Sequence, residues 1–383
     1  MTENMKILLI VDQFDSANNG TTITARRFAK TLESRGHEVR VVSCGKPGPH
    51  KYKLPALHFG PIVETIIRSQ GMQFAVPRRR VLEKALAWAD VAHFLMPFWL
   101  QQKALRIAEE MNVPHTAAFH VQPENITSTI FLGNCAPVNE FLYRYFRDHF
   151  YDRFTHIHCP SAFIAGELHK RGYKGKTHVI SNGIEPGFCY RKQPKSPEFE
   201  GKILIVMIGR LSREKRQDVL IDAVAQSKYA GRIQLVLAGK GPHKGALLRR
   251  ATKLKNPMIT GFYPSQTLKN LLAMTDLYVH ASDAEIEAIS CIEAFASGLV
   301  PVIANSKKSA TPQFALDERS LFAAGDSTDL AAKIDYWLDH EEERRRMEYA
   351  YAEHAKNYAI DRCVEKAEAM FRAAIEENEG THA

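Results

Sequence analysis

A chain of 383 residues is longer than one ordinary core requires and suits two domains. Apolar residues at 45% and charged residues at 25% exclude a largely disordered chain, and no run approaches the roughly eighteen apolar residues of a membrane span. The net charge of +8 suits phosphates, nucleic acid or an acidic membrane surface, and the lack of zinc-finger spacing, RNA-binding aromatic motifs or a basic arm makes nucleic acid the weakest of the three, so no nucleic-acid partner is expected.

In chain order, Lys6 to Val11 reads as a strand, Asn18-Asn19-Gly20 as a loop, Thr22 to Ser34 as a helix stopped by Gly36, and His37 to Ser43 as a second strand. Strand-like Val91 to Leu95, helical Gln102 to Met111, strand-like His115 to Phe119 and Ile157 to Pro160, and helical Ala162 to Arg171 continue the alternation. After Val179-Ile180 and the Asn182-Gly183 turn comes a segment rich in proline and charge, with Lys192, Pro194, Lys195, Pro197 and Glu200, which reads as a linker. A second alternation follows: Ile203 to Ile208, helix Arg216 to Ala225, Ile233 to Ala238, helix Lys244 to Lys253, Leu277 to His280 and Val300 to Ala304. The last forty or so residues read as helices.

These patterns predict an α/β protein of two Rossmann-like doubly wound domains facing a cleft, residues 1–190 and 191–383, with the last helices packing back on the first domain. Ligands of such sheets gather at the carboxyl ends of the strands, which directs attention to the loops after them.

Six cysteines without a CxxC pair give neither a zinc site nor a disulfide framework, so no metal is expected and a reducing cytoplasm fits best. The start, MTENMKILLIVD, enters a strand directly and carries no signal-peptide pattern. The loop after the first strand lacks G-x-G-x-x-G, and Gly239-Lys240-Gly241 lacks the closing residues of a phosphate-binding loop, which disfavours a dehydrogenase. His156-Ile157-His158 puts two imidazoles on one strand face without further ligands, a structural pattern.

Two segments carry chemistry. SDAEIEAISCIEAFASGLVPVIA, from Ser282 to Ala304, places Glu285 and Glu293 around a short helix. Ser290 and Glu293 fit a capping box, which gives Glu293 a structural explanation and leaves Glu285 outside the helix, while Gly298 stops it. A helix start aimed at a cleft also presents N–H groups to anions, and the carboxylates can accept hydrogen bonds from sugar hydroxyls. The second segment is Gly209-Arg210-Leu211-Ser212-Arg213-Glu214-Lys215, where an arginine fork and a lysine point charge can stabilise charge on a departing diphosphate. Arg213 and Arg216 read as solvated charges of the same turn.

Together these segments resemble the retaining glycosyltransferases of family four, which have the two-domain B-type architecture, and among them the lipid-directed bacterial diacylglycerol glucosyltransferases. The resemblance implies catalytic roles for Glu285 and His120 at the donor sugar and for Arg210 and Lys215 at its diphosphate. It implies nucleotide contacts at Glu293 (ribose), Gly20, Gly209, Phe262 (nucleobase loop) and Ile289. Gln122 to Asn125 would form an acceptor-side loop, and Ile286-Glu287-Ala288 stands where the family usually has Gly-Phe-Gly. The expected reaction is hexosyl transfer, of glucose from UDP-glucose first of all, to a lipid hydroxyl such as that of diacylglycerol, with no cofactor. The alternatives are a soluble sugar or metabolite acceptor, or a nucleotide-sugar-binding protein without catalysis.

Leu142, Phe146, Phe150 and Phe154 recur at helical spacing beside Arg144, Arg147 and Arg153, and Arg78-Arg79-Arg80 adds charge elsewhere. That face suits either a protein core or peripheral contact with an anionic membrane, the latter placing the protein at the inner face of the cell membrane.

Overall fold

The computed structural model describes residues 4–15, 20–60, 64, 67, 72–129 and 135–380, with the side chains of 128 and 129 left out, so Asn18 and Asn19 lie outside the described residues. The chain forms two compact units, Met1–Gly183 with Ile360–Ala383, and Ile184–Ala359.

In the first unit, β1 (Lys6–Gln13), β2 (Glu38–Cys44), β3 (Lys51–Lys53), β4 (Val91–Phe94), β5 (His115–Ala118), β6 (His156–Cys159) and β7 (Lys176–Val179) form a parallel sheet in the order β3-β2-β1-β4-β5-β6-β7. β1 is buried along nearly its whole length, which explains its unbroken apolar run, since a parallel sheet is covered on both faces. The helix Gly20–Ser34 returns over it and ends at Gly36, whose φ of +97° is the left-handed stop glycine supplies freely.

In the second unit, β8 (Ile203–Ile208), β9 (Ile233–Ala238), β10 (Ile259–Gly261), β11 (Leu277–His280), β13 (Pro301–Asn305) and β15 (Leu321–Ala323) pair in parallel in the order β10-β9-β8-β11-β13-β15. β12 (Ala284–Glu285) and β14 (Lys308–Ser309) form a two-stranded parallel piece beside it. Both sheets reverse strand order once, between β1 and β4 and between β8 and β11, and the crevice outside such a reversal is where doubly wound sheets bind ligands.

The division falls at Gly183 and Ile184, earlier than the expected boundary after residue 190. The presumed linker is part of the second unit because its charges are paired there: Lys192 Nζ lies 3.0 Å from Glu348, Lys195 Nζ 2.5 Å from Asp276, and the Gln193 amide donates to the Ala273 carbonyl. Of the final helices, only Ile360–Gly380 joins the first unit. Val364, Met370 and Phe371 enter its core, and Glu368 receives Arg35 at 2.6 Å and His37 at 3.0 Å. Ser327–Asp339 and Glu341–Ala355 belong to the second unit. Gly183, at φ +72°, lies so close to Ile360 that a Cβ there would sit 2.7 Å from its Cδ1.

Candidate functional site

The second unit gathers charge at the carboxyl ends of β8 and β11. Gly209 and Arg210 follow β8 directly, and Arg213–Lys215 make one 3-10 turn before the helix Gln217–Gln226. Gly239 and Gly241, after β9, press against this loop: a Cβ on Gly239 would meet the Gly209 carbonyl oxygen at 1.9 Å, and one on Gly241 the Leu211 carbonyl oxygen at 2.3 Å. The motif set aside as a failed phosphate loop therefore has a packing role, allowing the backbones of the two loops to touch.

Glu214 organises the turn. Its carboxylate accepts from Arg210 Nη2 at 2.8 Å and from the Ser212 hydroxyl, and its backbone carbonyl accepts from the Asp283 amide at 2.8 Å. Burial pushes its pKa up, but the Ser212 hydrogen bond and the Arg210 guanidinium bring it below the usual range. Arg216 departs from the solvated reading, since its backbone is left-handed at φ +51° and its guanidinium bonds Asp218 and Asp283, each at 3.2 Å. Arg213 stays exposed, with Nε 3.3 Å from His243.

At the centre stands Glu285. Its backbone is fixed by the pairing of β12 with β14 and by the Ala310 amide, which donates to its carbonyl at 2.8 Å. Its buried carboxylate forms an ion pair with Lys215, and the same oxygen lies 3.0 Å from His280 Nε2. Burial alone would raise its pKa; the Lys215 ammonium and the His280 hydrogen bond outweigh it and hold the carboxyl well below the usual range. The structure thus joins Lys215 to Glu285, with Arg210 on the same turn, as one charged cluster.

The expected capping box is absent. The helix spans Ile289–Ala296, its N-cap is Ala288 without a side-chain cap bond, and Ser290 is already helical. Ala288 adopts φ +70°, a left-handed conformation in which the chain reaches the helix without Ser290 at the cap. Ser290 Oγ instead lies 3.4 Å from the Tyr278 hydroxyl. Glu293 is buried within the helix, so its placement follows from helix position and not from capping. Ile289, half-buried, opens that helix, and Gly298 ends it at φ +82°. Phe262, after β10, is 65% exposed with Lys240 Nζ 5.0 Å over its ring.

The remaining candidates belong to the first unit. Gly20 is the exposed first residue of its helix, with nothing within 4 Å of a would-be Cβ. His120 is buried just past β5, 5.1 Å ring to ring from His158, which stacks on His93 at 5.8 Å. Burial, with the other two imidazoles nearby, pushes its pKa well below the usual value, and its Nε2 has no hydrogen-bond partner among the described residues. Gln122 and Glu124 are also buried, and Glu124 accepts from the Tyr143 hydroxyl at 3.2 Å. His156 and His158 bond inside the fold, to His178 at 2.8 Å and the Ile180 carbonyl at 2.7 Å, as a structural pair should.

Phe146, Phe150 and Phe154 face inward, Phe150 and Phe154 packing on Phe94 at 6.2 and 5.5 Å, so this face serves the core and not a membrane. Arg153 pairs with Glu109, and Arg79 with Glu83 and Glu110 at 2.7 Å each. Among the described residues, no helix is long and apolar enough to cross a membrane and no His, Cys, Asp and Glu cluster could hold a metal ion.

Sequence reasoning missed Glu214, His280 and Tyr278. The signal for the last two was the i, i+2 spacing in β11, which puts both side chains on one face.

Two family models cover most of the chain: "Glycosyltransferase Family 4" matches residues 18–188 and "Glycosyl transferases group 1" residues 190–354. An alpha-monoglucosyldiacylglycerol synthase of Streptococcus pneumoniae is 25% identical over 323 residues, 79% of this chain and 71% of the relative. Among solved structures, Alr3699/HepE of Anabaena in complex with UDP and glucose superposes with a TM-score of 0.71 at 17% identity, covering 97% of this chain and 100% of that one. The catalytic domain of cholesterol-alpha-glucosyltransferase from Helicobacter pylori is 51% identical over 41% of this chain and 99% of that chain, with a TM-score of 0.38.

Proposed function

We propose, from the premise that this chain belongs to glycosyltransferase family four and is a hexosyltransferase of the two-domain B type, that it moves a hexose from a nucleotide sugar to a lipid hydroxyl with retention at the anomeric carbon. Glucose, a UDP-linked donor and a diacylglycerol-type hydroxyl are the first choices. The observation that carries this reading is the Lys215–Glu285–His280 cluster at the carboxyl ends of β8 and β11. The activity of the Streptococcus relative, an alpha-monoglucosyldiacylglycerol synthase by name, supports the lipid acceptor.

In the proposed reaction the bond between the anomeric carbon and the diphosphate oxygen breaks, and the acceptor oxygen bonds to that carbon from the same face. The acceptor proton passes to the departing diphosphate. Arg210 and Lys215 stabilise the charge that develops there, which is where preorganised cations contribute most to the rate. Glu285 accepts hydrogen bonds from the sugar hydroxyls and Glu293 from the ribose. No side chain is assigned as a nucleophile, because orientation within an ion pair and charge stabilisation suffice for this route. From the first unit, His120 Nε2, which has no hydrogen-bond partner among the described residues, is the polar atom assigned to ligand contact. Peripheral contact with an anionic membrane remains part of the proposal, on the net charge and the lipid acceptor.

A screen of labelled nucleotide sugars against diacylglycerol, a sterol and soluble sugars, with the product's anomeric configuration read by NMR, tests the reading. An α-linked glycolipid from an α-linked donor is expected. Transfer only to soluble sugars moves the acceptor class, an inverted product contradicts retention, and nucleotide-sugar binding without transfer to any acceptor overturns the enzymatic reading.

A further inference from the structure

We infer that His280 is a positioning residue, holding the Glu285 carboxylate in one orientation through a hydrogen-bonded relay that runs from Ser290 through Tyr278 and His280. The inference rests on the transferase reading of the same site.

β11 sets the relay up. Tyr278 and His280 stand two residues apart on one face of the strand, both fully buried, with the Tyr278 hydroxyl 3.0 Å from His280 Nδ1. Burial pushes the Tyr278 phenol well above its usual pKa, so it is a neutral O–H with one proton to give. On the far side, His280 Nε2 lies 3.0 Å from Glu285 Oε1. A carboxylate only accepts, so the imidazole must present N–H at Nε2, because a lone pair facing the anion at that distance would be repelled. Nδ1 then accepts from the Tyr278 hydroxyl. One neutral tautomer satisfies both contacts; the Glu285 carboxylate selects it, and the Tyr278 hydroxyl, able to donate or accept, supports it.

Lys215 supplies Glu285 with charge but little direction, since an ammonium on a four-carbon stem is a compact point charge. His280 supplies direction: its buried ring is held by the Tyr278 hydroxyl at Nδ1, and its Nε2 meets one carboxylate oxygen. Ser290, in the first turn of the helix Ile289–Ala296, has its hydroxyl 3.4 Å from that of Tyr278; with the phenol proton given to His280 at the shorter 3.0 Å contact, the Ser290 hydroxyl is the donor between the two and ties the helix start to the strand end.

The test combines selective nitrogen-15 labelling of histidine with kinetics on His280→Ala, His280→Gln and Tyr278→Phe. In the wild-type protein the His280 signals are expected to report protonated Nε2 and bare Nδ1, a result that needs no turnover. His280→Ala should lower kcat by roughly 10- to 100-fold while donor KM moves by less than about threefold, because a misdirected group costs transition-state orientation more than binding. The acid limb of its pH profile should move to higher pH, since Glu285 loses one of the groups that stabilise its anion. His280→Gln, whose amide can donate to the same oxygen, should recover most of the lost kcat, and Tyr278→Phe should lose less than about tenfold. A wild-type His280 protonated at Nδ1 overturns the inference. So do His280→Ala and His280→Gln losing equally with an unmoved acid limb, which marks a merely structural histidine. Failure of the wild-type protein to transfer sugar sinks the transferase reading and leaves the tautomer measurement to decide the relay.

Discussion

The two units share a strand order and each keeps a buried carboxylate beside its strand reversal, yet the two acids are treated in opposite ways. In the first unit Asp12, near the end of β1, accepts from the Ala75 amide and from Gln101 Nε2, each at 2.9 Å, and neutral donors do not offset its burial, so its pKa rises to about 6. In the second unit Glu285 is equally enclosed, but the Lys215 ammonium and His280 hold it well below the usual range. Topology places an acid at the crevice; whether its pKa ends above or below the usual range depends on one cation, and the cation comes from the loop after β8. Glu285 is thereby kept ionised, while Asp12, with a pKa of about 6, stays within reach of protonation.

The sharpest way to break this comparison is to remove the cation. Lys215→Met leaves a buried carboxylate without its counter-ion and should cost about 2–4 kcal/mol of stability at neutral pH, whereas Glu285→Gln, which leaves a lysine able to turn toward water, should cost about 1 kcal/mol. Denaturant melts of both variants and the double variant read this directly, and equal losses would mean that the pair is not asymmetric. The pH sense follows from a depressed folded pKa: the stabilisation from Glu285 is present above the unfolded carboxylate range and is lost as pH falls toward its folded value.

Asp12→Asn sharpens the other side. A folded pKa raised to about 6 makes ionised Asp12 a burden above that pH, so wild-type stability should improve from this residue as pH drops from about 7 toward about 4, by roughly 2 kcal/mol. Asparagine can accept from Ala75 and donate to Gln101, whose Oε1 is buried without a partner among the described residues, so the variant should flatten that slope. Melting curves against pH check it, and an unchanged slope would remove Asp12 as its source.

The smallest effect is at Ala288, which holds a left-handed φ of +70°. Ala288→Gly relieves that strain but loosens the unfolded chain, so stability should change by less than about 1 kcal/mol. Ala288→Val should destabilise measurably, since a β-branched side chain tolerates this conformation poorly.

Much of this architecture could be read from the residues. β8, β9 and β11 lie where their apolar runs end, because a buried parallel strand has no polar face to blur its limits. β10 and β15 escaped because three-residue, partly exposed strands carry almost no periodic signal. The helix start at Ile289 was misread because a left-handed alanine has no sequence signature, while Ser290 and Glu293 imitate a capping box. The phenylalanines at 146, 150 and 154 show a limit of another kind, since helical spacing reveals a shared face but not what that face touches. In the candidate site, Lys215 and Glu285 were nameable from their motifs, but their contact spans seventy positions and depends on folding. His280 and Glu214 became visible only through their partners.

Transfer by the wild-type protein and by Glu285→Gln, measured side by side at saturating donor with the best acceptor, tests the central claim most directly. Glu285→Gln is expected to keep its fold and its affinity for the nucleoside diphosphate but to lose at least about 100-fold in kcat. Turnover by Glu285→Gln at the wild-type rate would contradict it.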